Sequence, residues 1–310
     1  MLCYPVLVSR SLKAHILLVL ITFAWGSTFV LVKDVLAQIS PLVFNAIRMI
    51  IAFVALVLIF HRSLKGMTRQ TIKGGVLVGV FLFLGYAFQT SGLRLTTPSK
   101  SAFITGLAVV LVPLVVAVTG RRVPNRWTVF GVIAAFIGLY LMTIPAGEGF
   151  SLMSINRGDL LTLGCACSFA LHIYTIGYMS QRYPFQQISI IQVFTAAILM
   201  TAAIPIESSR FVLSGTAVFA LAFTGLICTA AAFSIQTWAQ QFTPPTHTAL
   251  IFALEPVFAA ITSYVLLGER LGLRGTIGAM FILGGILVSE LRGSAVEPDR
   301  NFEAALSSNH

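Results

Sequence analysis

Long apolar runs, separated by short polar segments, follow one another along most of the chain. A helix needs about 20 residues to cross the hydrocarbon core of a bilayer, and intervals of that length with few or no charges recur between residues 13 and 291. We therefore predict an all-α membrane protein with ten transmembrane helices. The ten predicted spans lie within residues 13–33, 42–60, 73–94, 100–121, 126–148, 159–182, 182–207, 210–240, 246–267 and 273–291.

The boundary between spans 8 and 9 is predicted from helix-breaking residues. The charge-free interval from Arg210 to Glu255 is about twice the length of one span. It contains the polar stretch Gln240–Pro245, which ends in two prolines and disfavours a continuous helix. Residues 292–310 are polar, and we predict that they form a disordered cytoplasmic tail.

Composition agrees with a chain solvated by lipid. Of 310 residues, 57% are hydrophobic and 10% are charged, against about 25% charged in ordinary soluble domains. The net charge of +10 does not indicate a nucleic-acid partner, because most basic residues lie in short loops between apolar runs. The four cysteines lack the spacing of a metal or redox motif, and no nucleotide-binding loop is present, so we predict no metal site and no cofactor.

The basic residues of the first half predict the orientation. Loops rich in Lys and Arg stay in the cytoplasm, and nine such residues lie on one side of spans 1 to 5 against three on the other. The nine are Arg10, Lys13, Arg62, Lys65, Arg69, Lys73, Arg121, Arg122 and Arg126, and the three are Lys33, Arg94 and Lys100. We therefore predict a multi-pass protein of a cell membrane, typically a bacterial inner membrane, with both termini in the cytoplasm.

The sequence repeats itself after about 147 positions. Gln89–Thr90 lies over Gln236–Thr237, and Pro98 lies over Pro245. Further pairs at this shift are Thr96 with Thr243, Ile104 with Ile251, Leu107 with Leu254, Gly131 with Gly278 and Gly138 with Gly285; a shift of 144 pairs Trp25 with Phe169 and Arg48 with Gln192. We predict two five-helix repeats, residues 12–145 and 157–291.

An odd number of helices in each repeat gives the two copies opposite orientations in the membrane. Inverted repeats are a common basis of alternating access around a site near the middle of the bilayer. The pattern favours a secondary transporter or facilitator over an enzyme. An intramembrane lipid-handling enzyme, a membrane receptor without transport activity and a channel are the alternatives.

Several motifs resemble those of the drug/metabolite transporter superfamily, in particular its EamA-type ten-helix exporters. They are Ala24-Trp25-Gly26-Ser27, Arg48, Leu254–Ala260, Leu267–Leu271 and the Gly278 to Gly285 pattern. The resemblance covers about residues 14 to 291 and implies export of a small metabolite or drug across the cytoplasmic membrane. It also implies that the last helix of each repeat serves as a scaffold or a homodimer contact, which suits the small residues there.

Charged residues inside predicted spans are the first candidates for a substrate-binding site. Glu255 precedes Pro256, which frees a backbone carbonyl, so this position suits a proton or cation site, or else a structural role. Arg48 has three open interpretations: pairing with Glu255, binding an anionic substrate group, or a structural role. The peripheral position that the resemblance implies for span 2 favours the structural role.

The remaining candidates are polar and aromatic residues at related positions of the two repeats. Lys100 and His247 begin spans 4 and 9, where they suit either an anion site or anchoring at the membrane interface. Gln89 and Gln236 suit either a cavity wall or helix packing. The other predicted substrate-binding residues are Trp25, Ser27, Tyr86, His172, Tyr174 and Trp238. Together this set predicts an amphipathic pocket for an amino acid, a nucleoside or a related metabolite.

Overall fold

The computed structural model describes residues 10–96, 101, 104–120, 124–143, 156–267 and 272–293. Helices account for nearly all of the structure in these ranges, and the one extended pairing recorded there is an isolated antiparallel bridge between Ile39 and Phe211. The all-α prediction is therefore confirmed for this part of the chain.

The helices of the first half are numbered in chain order. They are α1 (Arg10–Gly26), α2 (Phe29–Val35), α3 (Pro41–Phe60), α4 (Arg69–Leu95), α5 (Ala108–Gly120) and α6 (Arg126–Thr143). Residues 104–106 are also helical and are separated from α5 by a turn at Leu107.

The second half begins with two uninterrupted helices and continues with several shorter ones. They are α7 (Arg157–Ser180), α8 (Phe185–Ala203), α9 (Gly215–Gly225), α10 (Ala232–Ala239), α11 (Pro245–Phe252), α12 (Glu255–Leu267) and α13 (Leu273–Val288). A π-helical turn over Leu226–Ala231, called the π-segment below, joins α9 to α10 without interrupting the rod.

Helix starts follow the local chemistry of the chain. Pro41 and Pro245 occupy first helical positions, where the missing N–H costs no hydrogen bond. Thr68 and Ser214 accept hydrogen bonds from backbone N–H groups in the first turns of α4 and α9. Asn156 forms a reciprocal capping box with Asp159 at the start of α7. The predicted boundaries near these residues agree with the structure because the signals are local.

Six helical rods in the described residues are long and apolar enough to cross a membrane, and three shorter ones are also apolar. The six are Pro41–Leu64, Arg69–Leu95, Arg157–Ser180, Phe185–Ile206, Gly215–Ala239 and Pro245–Thr262. The three shorter ones are Ile104–Thr119, Arg126–Leu141 and Leu273–Val288. Predicted span 1 differs from the expectation of one straight helix, because a turn at Ser27–Thr28 divides it into α1 and α2.

Contacts at the helix ends show the relative directions of two pairs of rods, each with one rod from either half of the chain. At one end of the molecule, Gln187 at the start of α8 donates to the carbonyl of Ser63, just after α3. At the opposite end, Leu42 at the start of α3 donates to Glu207, just after α8. Lys13 near the start of α1 lies over Trp238 near the end of α10. Accordingly α3 and α8 are antiparallel, as are α1 and the α9–α10 rod.

Helices α6 and α13 pack with their backbones unusually close. A Cβ atom on Gly131 would lie 2.6 Å from the carbonyl oxygen of Gly285, and one on Gly138 would lie 2.5 Å from that of Gly278. The residue numbers of the paired glycines rise in one helix as they fall in the other, so the two helices are antiparallel. Only glycine fits such a contact.

The outer surface of the helical rods is apolar. Leu20, Ile59, Val118, Val265 and Leu287 are all more than half exposed. A water-soluble protein rarely presents so many large apolar side chains to solvent. This surface suits lipid, whereas buried polar residues lie between the helices.

Candidate functional site

A cavity of about 110 Å³ lies between the helices of both halves. Its wall includes Trp25 and Thr28 from the first helical segment, Arg48 from α3, and Phe169 and His172 from α7. The other lining residues are Val32, Tyr86, Gln89, Thr90, Leu93, Thr105, Gly106, Ala108, Val109, Ile173, Phe233, Gln236, Ala249, Phe252, Ala253, Glu255 and Pro256. Helices distant in the sequence therefore converge on one space.

Two helix breaks border this cavity at positions that match in the sequence repeat. The N–H of Leu107 bonds the carbonyl of Ile104 at 3.2 Å, and the N–H of Leu254 bonds that of Ile251 at 3.0 Å. Each is a tight turn in place of a regular α-helical step. Breaks of this kind free backbone carbonyls, which membrane proteins tolerate where the chain lines a cavity.

Gly26 brings the end of α1 against the second break. A Cβ atom at this position would lie 2.6 Å from the carbonyl oxygen of Glu255 and 3.0 Å from the backbone nitrogen of Ala259. The absence of a side chain therefore allows two interrupted helices to meet at the cavity wall.

Arg48 is a buried cation on the cavity wall. Its Nε donates to Thr229 Oγ1 at 3.0 Å, and one terminal nitrogen donates to the hydroxyl of Tyr86 at 3.2 Å. The guanidinium carbon lies 4.3 Å from the centroid of the Tyr86 ring. An arginine in the middle of a membrane helix costs roughly 2.5–3.5 kcal/mol on insertion scales, and these contacts offset part of that cost.

The π-segment provides partners for two residues of the wall. Thr229 accepts from Arg48 and donates its own hydroxyl hydrogen to the carbonyl of Thr224, five residues earlier. The carbonyl of Cys228 accepts a 2.8 Å hydrogen bond from the indole Nε1 of Trp25. Single π-turns inside α-helices recur at functional sites, and this one links α3 and α1 to the second half.

A second polar network lies on the side of α7. His172 Nε2 and Gln192 Oε1 are 3.0 Å apart, and the Gln192 amide donates to Thr237. In the first half the amide of Asn45 donates to Thr90, which is the repeat counterpart of Thr237. In both halves, a threonine at the same repeat position therefore joins two helices by a hydrogen bond: α3 to α4 in the first half and α8 to α10 in the second.

Glu255 provides the carboxylate among the described lining residues. It begins α12 immediately before Pro256, and no side-chain hydrogen bond or ion pair to it occurs within the described residues. When it is ionised, the carboxylate at the first turn of a helix is stabilised by the partial positive charge of the helix N-terminus. The cavity therefore contains one fixed guanidinium and one carboxylate that do not pair with each other.

Aromatic rings form another part of the wall. Trp25 packs against Phe233 and Phe252 with ring centroids 5.7 and 5.0 Å apart, and Tyr86 contacts Phe169 edge-on at 5.5 Å. Such a surface stacks on flat apolar groups of a ligand. Together with the two charges, it makes the cavity amphipathic.

The structure brings together some of the predicted site residues and separates others. Those at the cavity wall are Trp25, Tyr86, Gln89, His172, Gln236 and Glu255. Ser27, Tyr174, Trp238 and His247 are not among the lining residues, and Lys100 lies outside the described residues. Trp238 instead packs on Phe242 beneath Lys13, near one end of the molecule.

Sequence reasoning missed parts of the wall and misjudged one helix. The resemblance placed span 2 at the periphery, yet α3 brings Arg48 to the cavity because its buried face packs on α4 and the π-segment. Phe233 was overlooked although it matches Tyr86 at the 147-residue shift, a signal that was available. Phe252 lies in an apolar run with no distinguishing pattern.

Among the described residues, no group of three potential metal ligands occurs.

Comparison with known proteins identifies the family of the chain. The model of the EamA-like transporter family matches residues 12–144 and again residues 156–291. A protein of Archaeoglobus fulgidus described as an uncharacterized transporter is 34% identical over 283 residues, which cover 91% of this chain and 87% of that protein.

Two further comparisons give a named relative and a fold. The S-adenosylmethionine/S-adenosylhomocysteine transporter of Chlamydia muridarum is 25% identical, with 89% of this chain and 91% of that protein covered. A crystal structure of a protein with 19% identity has a TM-score of 0.75 and covers 92% of this chain and 99% of its own, which shows the same fold. The chain belongs to the EamA-like transporter family and is a multi-pass membrane protein.

Proposed function

We propose that this protein is a secondary transporter that carries a small amphipathic metabolite across the cytoplasmic membrane by alternating access, in the direction of export. The observation that carries the proposal is the cavity between two helix breaks at matching repeat positions, Leu107 and Leu254. Broken helices beside a central site are typical of transporters whose two halves exchange conformations.

The proposal includes ten membrane spans in two inverted repeats. The family model matches the chain twice, and α3 and its counterpart α8 run in opposite directions. The glycine contacts support the same symmetry, because the repeat exchanges the pair Gly131–Gly285 with the pair Gly138–Gly278. An exchange of contacts is what a two-fold axis between the halves produces.

The proposed substrate is an amino acid, a nucleoside or a related compound. A guanidinium, a carboxylate and several aromatic rings favour a solute that combines charge with a flat apolar part. The relative from Chlamydia muridarum carries a substrate with these features according to its name. The basic loops of the first half support cytoplasmic termini.

Flux measurements in proteoliposomes test the proposal. A panel of amino acids, nucleosides and S-adenosylmethionine should include at least one compound whose uptake is saturable and exceeds that of protein-free liposomes. Trp25→Ala removes a ring from the cavity and should lower that flux about fivefold, since a stacking contact is worth about 1 kcal/mol. Trp238→Ala, a tryptophan away from the cavity, should leave it close to the parent value. Equal flux in the parent and Trp25→Ala, or no flux above the blank, contradicts the proposal.

A further inference from the structure

The guanidinium of Arg48 uses only part of its hydrogen-bonding capacity. The group has five N–H donors, two of which reach Thr229 and Tyr86, so three remain without a partner among the described residues. No ion pair with a carboxylate is formed by Arg48 within that part of the chain. The remaining nitrogen, Nη1, makes neither of these bonds and is not among the fully buried atoms that lack a partner, so its two N–H groups are open to the cavity that Arg48 lines.

The orientation of this guanidinium is fixed from two sides. Thr229 accepts from Nε, and its own hydroxyl hydrogen is committed to the carbonyl of Thr224 at 2.8 Å. Tyr86 accepts from a terminal nitrogen and places its ring beneath the guanidinium plane. A guanidinium whose orientation is fixed in this way loses little conformational entropy when it binds a ligand.

We infer that Arg48 binds an anionic group of the transported solute, a carboxylate or a phosphate, and that Thr229 of the π-segment positions it. The inference rests on the proposed transport function. Carboxylate and phosphate oxygens accept two parallel hydrogen bonds from a guanidinium. The rings of Trp25, Phe169 and Phe233 then surround the apolar part of the same solute.

Thermal stability of the purified full chain with three probes tests this assignment. Benzoate and phenyl phosphate carry an anion on an aromatic ring, and benzamide is the uncharged counterpart of benzoate. The parent should melt at a higher temperature with benzoate or phenyl phosphate at concentrations where benzamide has no effect. The larger of the two shifts distinguishes a carboxylate site from a phosphate site.

Variants of Arg48 show whether its guanidinium is responsible for the preference for an anionic probe. Arg48→Gln should weaken binding of the preferred anion by roughly 10- to 100-fold, and Arg48→Lys should fall between Arg48→Gln and the parent because an ammonium lacks the planar fork. A parent that does not prefer an anionic probe over benzamide overturns the inference, as does an Arg48→Gln variant that keeps the preference.

Thr229 provides an independent test that leaves the cation in place. Thr229→Val keeps the shape but removes the acceptor for Arg48 Nε, so the affinity ratio of anion to benzamide should fall several-fold. Thr229→Ser keeps the hydroxyl and should retain the parent ratio. An unchanged ratio in Thr229→Val overturns the positioning role. A solute whose flux in proteoliposomes is unaffected by Arg48→Gln overturns the role of Arg48 but leaves transport standing.

Discussion

At the scale of single residues, the cavity contains a guanidinium and a carboxyl group whose roles are separable. Arg48 is fixed by Thr229 and Tyr86, whereas Glu255 has no hydrogen-bond partner among the described residues. Tyr86 and His172 are the other ionisable side chains in the lining. A carboxylate without a fixed partner is suited to binding a cation or a proton during transport.

Replacing Glu255 should change how flux responds to pH. Glu255→Gln keeps the size of the side chain but cannot exchange a proton, so its flux should become independent of pH where that of the parent varies. The measurement is initial flux in proteoliposomes between pH 5.5 and 8.5. His247→Ala is the control, since His247 is not among the lining residues, and it should retain the parent profile. A Glu255→Gln profile parallel to that of the parent rules out proton coupling through this residue.

Residue identities in the cavity were predictable where the two repeats match. Gln89 and Gln236 were found in this way, and both line the cavity. The position of Arg48 was not predictable from its own helix. Its partner Thr229 is 181 residues away, and a contact of that separation leaves no local pattern in the sequence.

At the scale of helices, the sequence predicts where a helix begins better than it predicts where a helix is interrupted. Prolines and capping residues place the starts of α3, α7 and α11. Pro256 signals the break before α12 because it cannot donate to the carbonyl of Phe252. The matching turn at Leu107 has no proline directly beside it. The adjacent Gly106 is a weaker local signal, and the repeat is the clearer indication.

The π-segment is another helix irregularity that the local sequence does not indicate. Its register depends on Thr229 bonding Thr224 while Arg48 and Trp25 bond to it from other helices. Nothing in the composition of Leu226–Ala231 distinguishes it from an ordinary apolar turn. Tertiary contacts determine the local geometry here.

The contact between α6 and α13 makes a prediction about two adjacent glycines. A Cβ on Gly285 would lie 2.7 Å from the carbonyl oxygen of Gly131, whereas one on Gly284 has nothing within 4 Å. Gly285→Ala should therefore lower the free energy of unfolding by about 1–3 kcal/mol. Gly284→Ala should change it by less than about 1 kcal/mol, or raise it. The midpoint of denaturation in detergent measures both, and equal effects would contradict this packing.

At the scale of the whole molecule, alternating access depends on the opposite orientation of the two repeats. Residues 63 and 207 correspond at the 144-residue shift, yet they lie at opposite ends of the molecule, beside α8 and α3 respectively. The duplication was visible in the sequence through a few polar and glycine pairs. The odd number of helices in each repeat predicts opposite orientations of the copies, whereas the contacts that pair α3 with α8 required the structure, because they join segments that are distant in the sequence.

Labelling of single cysteines in intact cells tests this orientation. With the native cysteines replaced, Ser63→Cys should react with a membrane-impermeant thiol reagent only after the membrane is opened, since the basic loop places it in the cytoplasm. Ser208→Cys, next to the counterpart of Ser63, should react in intact cells. Reaction of both from the same side would contradict inverted repeats.

The proposed transport requires one cavity that opens alternately to the two sides of the membrane. The most direct test places a single cysteine at Ala253, which lines the cavity at the second helix break, with the buried Ala166 as a control outside the lining. An impermeant thiol reagent is applied to vesicles of each orientation, with and without a transported compound. Alternating access predicts that Ala253→Cys is labelled from both sides, that the compound shifts the two rates in opposite directions, and that Ala166→Cys stays unlabelled. Labelling of Ala253→Cys from one side only, with or without the compound, would contradict the account.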